Sequence, residues 1–190
     1  MSLIDLIGSS IIAGAIIAAI IAMTFVLSGS TLEFKSDLNT QETTAEFTKV
    51  LQWDFAKIGS GVSTGPKVLF ATSDSLGFRG DIDNNGTLDT VIYRKGAPGD
   101  LAETPNPDDF LLFRIVSGGG TQESMAIKIG LTRFTMTYLD STGGPTTNAN
   151  NVRGMKVEAL VQSEYTMPDV DYAGVYWENT IYPRNLNLTK

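Results

Sequence analysis

From Leu6 to Leu32 the chain carries no charged side chain, and that run restricts every fold open to it. Its larger part, Leu6–Leu27, reads LIGSSIIAGAIIAAIIAMTFVL. As a helix rising 1.5 Å per residue, those positions extend about 33 Å. The hydrocarbon core of a bilayer is roughly 30 Å thick. The rival placement, at the centre of a soluble domain, needs protein on every side of the helix. A chain of 190 residues makes one domain and an appendage, which is too little to surround it. The run is therefore read as buried in lipid or among other helices. A secretory signal peptide would need a basic n-region, a shorter apolar stretch and a small-residue cleavage site. Here no Lys or Arg precedes the run, and the first is Lys35. A nascent membrane segment normally has a basic cytoplasmic flank, so Met1 is expected to be a processed N-terminus from which a basic leader was removed.

Residues 28–58 continue the helix with one apolar face. Phe47, Leu51, Phe55 and Ile58 are spaced four, four and three apart, with Val50 on the same side, which is helical periodicity. Lys35, Asp37, Gln41, Glu42, Lys49, Gln52 and Lys57 occupy the other face. Gly59-Ser60-Gly61 ends the element, because glycine accepts the left-handed conformation of a C-terminal cap. Beyond it come short β-rich runs: Lys67–Ala71, Gly77–Arg79, Thr90–Arg94, Phe110–Val116, Met125–Ile129, Arg133–Leu139, Met155–Gln162 and Gly174–Tyr182. Phe134, Met136 and Tyr138 alternate with Thr135 and Thr137, the period of a half-buried strand. The expected fold class is α+β: a long N-terminal helix, apolar in its first half and amphipathic in its second, packed on an antiparallel β-sheet head. Residues 1–27 form the apolar segment, 28–58 the amphipathic continuation and 59–190 the head.

The chain has no cysteine and no histidine. That removes disulfides and thiolate metal sites, the commonest transition-metal ligand, and Ser–His or Cys–His nucleophile pairs. Carboxylate chemistry is the main catalytic route left, and no pair of acids outside one loop is nominated for it, so no enzymatic activity is expected. With 21 acidic against 14 basic residues the net charge is −7. Nucleic acid is not an expected partner, since phosphate neutralisation needs a basic stripe.

Asp5 stands alone at the border of the uncharged run. An unpaired buried charge costs several kcal/mol or more, so it is paired or functional, unless it lies at headgroup level and caps the helix N-terminus, where the dipole favours an anion. The order Met1-Ser2-Leu3-Ile4-Asp5-Leu6-Ile7 resembles the type IV pilin superfamily, whose mature chains open with Phe or Met and then a Thr/Ser-Leu-Ile-Glu-Leu-like stretch leading into an apolar helix. The resemblance implies that Asp5 attracts the free, often methylated, N-terminal amine of Met1 on an adjacent subunit during assembly. It also implies homo-polymerisation through the N-terminal helices, an inner-membrane pool before assembly, and engagement by pilus or secretion assembly machinery. Leu51–Gly59 (LQWDFAKIG) and Thr180–Leu186 (TIYPRNL) resemble the helix end and terminal strand of minor pilins and of a minor pseudopilin class. There are departures: Asp5 stands where Glu is usual, Ala22 where many major pilins have proline, and the disulfide of many Gram-negative major pilins has no counterpart. Gly8 and Gly14 each cost roughly 0.5–1 kcal/mol relative to alanine in a helix. They permit close helix approach, and the resemblance implies that the segment near Gly14 unwinds in the filament.

Gly80–Thr90 reads GDIDNNGTLDT. Asp81, Asp83, Asn85 and Asp89, with Gly86 at the turn and the Thr87 carbonyl, match most of an EF-hand-type calcium loop. The terminal bidentate Glu is replaced by Ile92, and strands rather than helices flank the loop. Two readings stand: a calcium loop between strands, or an Asx-rich hairpin, since Asn-Asn-Gly is turn chemistry by itself. Trp53 and Trp177 are expected to pack, and Tyr176 to pair across strands.

The function expected from the whole is a structural subunit of a type IV pilus-like extracellular filament, the major one favoured, serving adhesion or surface contact. The alternatives are a minor pilin or type II secretion pseudopilin at a filament tip, and a membrane-anchored calcium-binding module.

Overall fold

The computed structural model describes residues 3–101, 104–163, 166 and 172–187, apart from the side chains of residues 4–6, 32 and 33. The class is α+β. Helix α1 (Leu3–Ala56) is followed by seven strands: β1 (Val68–Ala71), β2 (Ser75–Gly80), β3 (Asp89–Lys95), β4 (Phe110–Gly118), β5 (Thr121–Leu139), β6 (Gly154–Gln162) and β7 (Gly174–Ile181). A 3₁₀ turn (Ala149–Asn151) precedes β6, and a single helical turn, α2 (Arg184–Asn187), follows β7. The chain divides into two compact units, Met1–Asn39 and Thr40–Lys190.

In the first unit every described position is helical. Its Ser and Thr residues are carried without breaking the helix: Thr24, Ser30 and Thr31 return their hydroxyls to the carbonyls of Ile20, Val26 and Leu27, at 2.8, 3.1 and 2.8 Å. This back-bonding gives each hydroxyl a partner within its own helix.

In the second unit the closing turns of α1 supply one wall of the core. Phe47, Leu51, Phe55 and Ile58 are all buried with strand residues including Phe78, Tyr93, Phe134 and Met155. Phe55 meets Tyr93 edge-on at 5.2 Å and Phe78 at 6.2 Å. The buried stripe is narrower than the sequence implied, for Val50 is 46% exposed. It lies at the margin of the arc that Phe47 and Leu51 define, and Thr44 and Thr48 fill the adjoining positions. Trp53 is 56% exposed rather than packed; the Lys57 ammonium sits 5.2 Å from its ring. Past Ala56 the chain turns through Gly59 (φ 77°) and Gly61 (φ 71°). The Gly59 N–H donates to the Arg79 carbonyl at 2.8 Å and the Asp81 N–H to the Ser60 carbonyl at 3.0 Å, so the helix end is sewn to β2.

The sheet is antiparallel throughout, with its strands in chain order from β1 to β7. Gly119 and Gly120, at φ 57° and 84°, make the two-residue turn between β4 and β5. Two left-handed residues in succession are the backbone that a tight hairpin needs. The expected strands at Met125–Ile129 and Arg133–Leu139 are one continuous β5, 19 residues long. Gly130, at φ 66°, bends the strand without ending it. Before this kink β5 pairs with β4 and beyond it with β6, Leu131 being paired to both. Where β4 has ended, the Met136 N–H donates to the Ser73 carbonyl at 3.1 Å, and the Tyr138 hydroxyl donates to the Thr72 carbonyl at 2.9 Å. The turn between β1 and β2 thus reaches β5, and the sheet is strongly curled. Only Thr180 and Ile181 of the TIYPRNL segment are strand; Pro183 has no N–H to continue the ladder, and Leu186 of the following turn is buried.

Candidate functional site

The loop between β2 and β3 is built by Asx chemistry. The Asn85 N–H donates to Asp83 Oδ1 at 3.1 Å, the Gly86 N–H to Asp81 Oδ2 at 3.1 Å, and the Thr87 N–H to Asn85 Oδ1 at 2.7 Å. Asn84 at φ 61° and Gly86 at φ 84° give the left-handed residues such a reversal requires. The Ile82 N–H donates to Asp89 Oδ2 at 3.1 Å. These bonds bring the acids together: one carboxylate oxygen from each of Asp81, Asp83 and Asp89 lies within 4.8 Å of the others. Asp89 is buried, and glycine at 118 makes room for it, because a Cβ there would stand 1.9 Å from Asp89 Oδ1.

Of the candidate ligands, the three acids converge and the Asn85 side chain is engaged in the loop. Asn85 Nδ2 donates to Asp83 Oδ2 at 2.7 Å, and the Thr87 hydroxyl donates to Asn85 Oδ1. One atom is unaccounted for. Asp81 Oδ1 is buried with no hydrogen-bond partner among the described residues, and an orphaned buried acceptor costs about 1–3 kcal/mol. A cation would satisfy it. The Lys57 ammonium, from the end of α1, also reaches this loop and donates to Asn84 Oδ1.

The assembly residues are placed only in part. Met1 and the Asp5 side chain lie outside the described residues. Gly14 is within α1, and neither Gly8 nor Gly14 has any atom within 4 Å of the position a Cβ would take. Nothing in the described chain therefore calls for glycine at either place. From Ile7 to Thr31 every residue is exposed except Gly8. Among the described residues this is the one helix long and apolar enough to cross a membrane.

No protein-family model matches the chain, and no curated protein is significantly similar to it. What stands is the architecture, a long apolar N-terminal helix followed by an antiparallel sheet, which is compatible with that of a pilin.

A second polar feature was not anticipated from the sequence. Asp54, 1% exposed, accepts from Arg114 Nε at 2.7 Å and Arg114 Nη2 at 3.1 Å, and from the Tyr93 hydroxyl at 2.6 Å. The arrangement fixes the last turn of α1 to β3 and β4. Burial pushes the Tyr93 hydroxyl well above its ordinary pKa, and the Asp54 charge adds to this. Burial alone would lower the Arg114 guanidinium, but its hydrogen bonds and attraction to Asp54 outweigh that and raise it. The signal was legible: an acid, Asp54, lies between Leu51 and Phe55 on the apolar stripe, where only a buried partner makes it tolerable. On the outer face of β6 and β7, Tyr176 Oη lies 2.9 Å from Glu158 and 2.7 Å from Glu178. The Lys156 ammonium is 3.1 Å from Glu178, so cross-strand pairing is the role Tyr176 has.

Proposed function

We propose that this chain is a structural subunit of a type IV pilus-like extracellular filament, held in the inner membrane before assembly and polymerising through its N-terminal helix. One observation supports the reading above all: the apolar stretch of α1 is not covered by its own chain. Twelve large apolar side chains between Leu3 and Leu27 are more than half exposed. At about 1.5–3 kcal/mol for each one left in water, the sum is some tens of kcal/mol, beyond the whole stability of an ordinary domain. Lipid must cover them in a single chain, and neighbouring helices in a polymer. Gly8 and Gly14, unexplained within the chain, suit close approach of those helices. In this reading Asp5 pairs with the amine of Met1 on a neighbouring subunit, the segment near Gly14 unwinds, and no catalysis is required. Many copies make the major subunit, the favoured form; a few at a tip would make a minor pilin or a secretion pseudopilin.

Electron microscopy with mass spectrometry on material sheared from cells tests this. Filaments composed mainly of this chain, with Met1 as the first residue, are expected. Asp5→Ala is expected to insert in the membrane and to form no filament. Normal filaments from that variant would overturn the charge-pairing mechanism, and absence of the chain from sheared material would overturn the major-subunit reading.

A second reading, calcium binding by the β2–β3 loop, is favoured by the partnerless Asp81 Oδ1 amid three converging carboxylates. Calorimetric titration of the full chain in detergent micelles is expected to show calcium heat that Asp83→Ala weakens. No heat from the unaltered chain would leave the loop a hairpin and nothing more.

A further inference from the structure

A pocket opens in the sheet where two irregularities meet. The pairing of β4 with β5 shifts between Phe110 and Leu112, and that of β5 with β6 shifts between Leu131 and Arg133. Bulges of this kind redirect side chains and recur beside binding sites. Gly130 lets the strands draw close here, since a Cβ on it would lie 2.5 Å from the Gln162 carbonyl oxygen. The pocket collects Lys95 from β3, Thr132 and Arg133 from β5, Gln162 from β6, and Asp108 from the loop before β4. Its apolar walls are Pro98, Phe110 and Leu160.

The chemistry of these groups is unusually open. In a protein of net charge −7, two cations face one cavity. Neither has a carboxylate within salt-bridge distance among the described residues; the Lys95 ammonium lies over the Phe110 ring at 4.4 Å. The Thr132 hydroxyl oxygen is buried with no hydrogen-bond partner among the described residues, although a hydroxyl offers one donor and two acceptor positions. Asn106 Nδ2 donates to Gln162 Oε1 at 3.4 Å, which leaves the NH₂ donors of Gln162 to a ligand.

We propose that this pocket binds a carboxylate-bearing sugar, a uronic acid unit of an acidic polysaccharide. A planar guanidinium pairs with a carboxylate through two parallel bonds, so Arg133, with Lys95 beside it, takes the acid group. Thr132, the Gln162 amide and the Asp108 carboxylate supply the mixed donors and acceptors that ring hydroxyls need. Pro98 and Leu160 offer an apolar surface for the C–H face of the ring, the usual division of labour in a small-ligand site. A phosphate-rich ligand fits worse, because it would bring more negative charge beside Asp108 than the single carboxylate of a uronic acid does. The site does not depend on polymerisation, and its test does not require filaments.

The test is isothermal titration calorimetry on the full chain in detergent micelles at low salt. The probes are an oligogalacturonate, its fully methyl-esterified form, and polyglutamate of matched charge. Saturable binding is expected for the oligogalacturonate alone, weakened about tenfold or more by Arg133→Gln, since the bidentate contact is lost. Thr132→Val is expected to weaken binding while leaving the melting temperature unchanged or higher, because it removes a buried hydroxyl that has no partner. Equal binding of the ester, or of polyglutamate, would overturn the proposal. So would the absence of binding at millimolar sugar, or undiminished binding by Arg133→Gln.

Discussion

Replacing Arg114 with methionine keeps most of the side chain's length and removes its charge. Asp54 then stays in place, 1% exposed, with the Tyr93 hydroxyl at 2.6 Å as its remaining partner. The two lost bonds, at 2.7 and 3.1 Å, are of the charge-assisted kind, and each is worth about 1.5–3 kcal/mol. Breaking a buried pair by removing one partner costs about 3–5 kcal/mol by direct comparison with other proteins, and the two figures agree. For a unit of this size about 2–4 °C is lost per kcal/mol, so the melting temperature should fall by about 6–20 °C. Near-ultraviolet circular dichroism of the full chain in micelles reads this transition through the packed tyrosines. The companion variant Asp54→Leu/Arg114→Met leaves only the Tyr93 hydroxyl without a partner, a penalty of about 1–3 kcal/mol. It should therefore be more stable than Arg114→Met alone, and adding Tyr93→Phe should recover most of the remainder. A fall below about 2 °C for Arg114→Met, or a double variant worse than the single, would refute the claim that charge pairing fastens α1 to the sheet.

Phe55→Ala should cost about 3–5 kcal/mol in the same assay, because Phe55 is wholly buried, whereas Trp53→Ala two positions away should stay within about 0.5 kcal/mol. Gly80→Ala would set a Cβ 2.4 Å from the Lys57 carbonyl oxygen; relief requires the helix end or β2 to move, at about 1–3 kcal/mol, and an unchanged denaturation midpoint would contradict that. Asp109 is buried, its Oδ1 has no partner among the described residues, and burial raises its pKa. An acid whose folded pKa exceeds its unfolded one costs stability above the folded pKa, and the cost vanishes below the unfolded pKa. Asp109→Asn should therefore stabilise at neutral pH, with a gain that shrinks as the pH falls through the carboxylate range; a gain independent of pH would sink the argument.

The elements that the sequence disclosed are those whose periodicity had a physical cause within a few residues. The stripe of Phe47, Leu51, Phe55 and Ile58 and the alternation of Phe134, Met136 and Tyr138 are each fixed by one buried face, and each was legible. Val50 was misjudged because periodicity gives the direction of a face and not its width, whereas Trp53 lies on the far side of the helix from the stripe and was misjudged on residue type alone. The break expected between Met125–Ile129 and Arg133–Leu139 did not occur, since one glycine can redirect a strand as readily as end it. Asp54 with Arg114 and Tyr93, and Lys95 with Arg133 and Thr132, join residues scores of positions apart in the chain. Asp54 on the apolar stripe announced that a partner was needed, but which residues make up each grouping becomes visible only when the sheet has set their order. In the acidic loop the spacing of Asp81, Asp83 and Asp89 did foretell convergence, because it is local. The engagement of Asn85 and Thr87 with their own loop was foretold only by the hairpin reading.

The strand order, β1 to β7 without a crossover, bears on how the chain acquires its shape. Each strand finds its partner in the strand made immediately before it, and no connection between partners is longer than the 14 residues that separate β3 from β4 and β5 from β6. The tightest, at Gly119-Gly120, is two residues. Closing short loops costs little chain entropy, and folds rich in pairings near in sequence form faster than those that wait for distant ones. The contacts of Phe47, Leu51 and Phe55 with late strands such as β5 and β6, and those of the β1–β2 turn with Met136 and Tyr138, must wait for most of the chain. A sheet of this kind grows by accretion, hairpin upon hairpin, on a helix that was synthesised first and is ready to receive it.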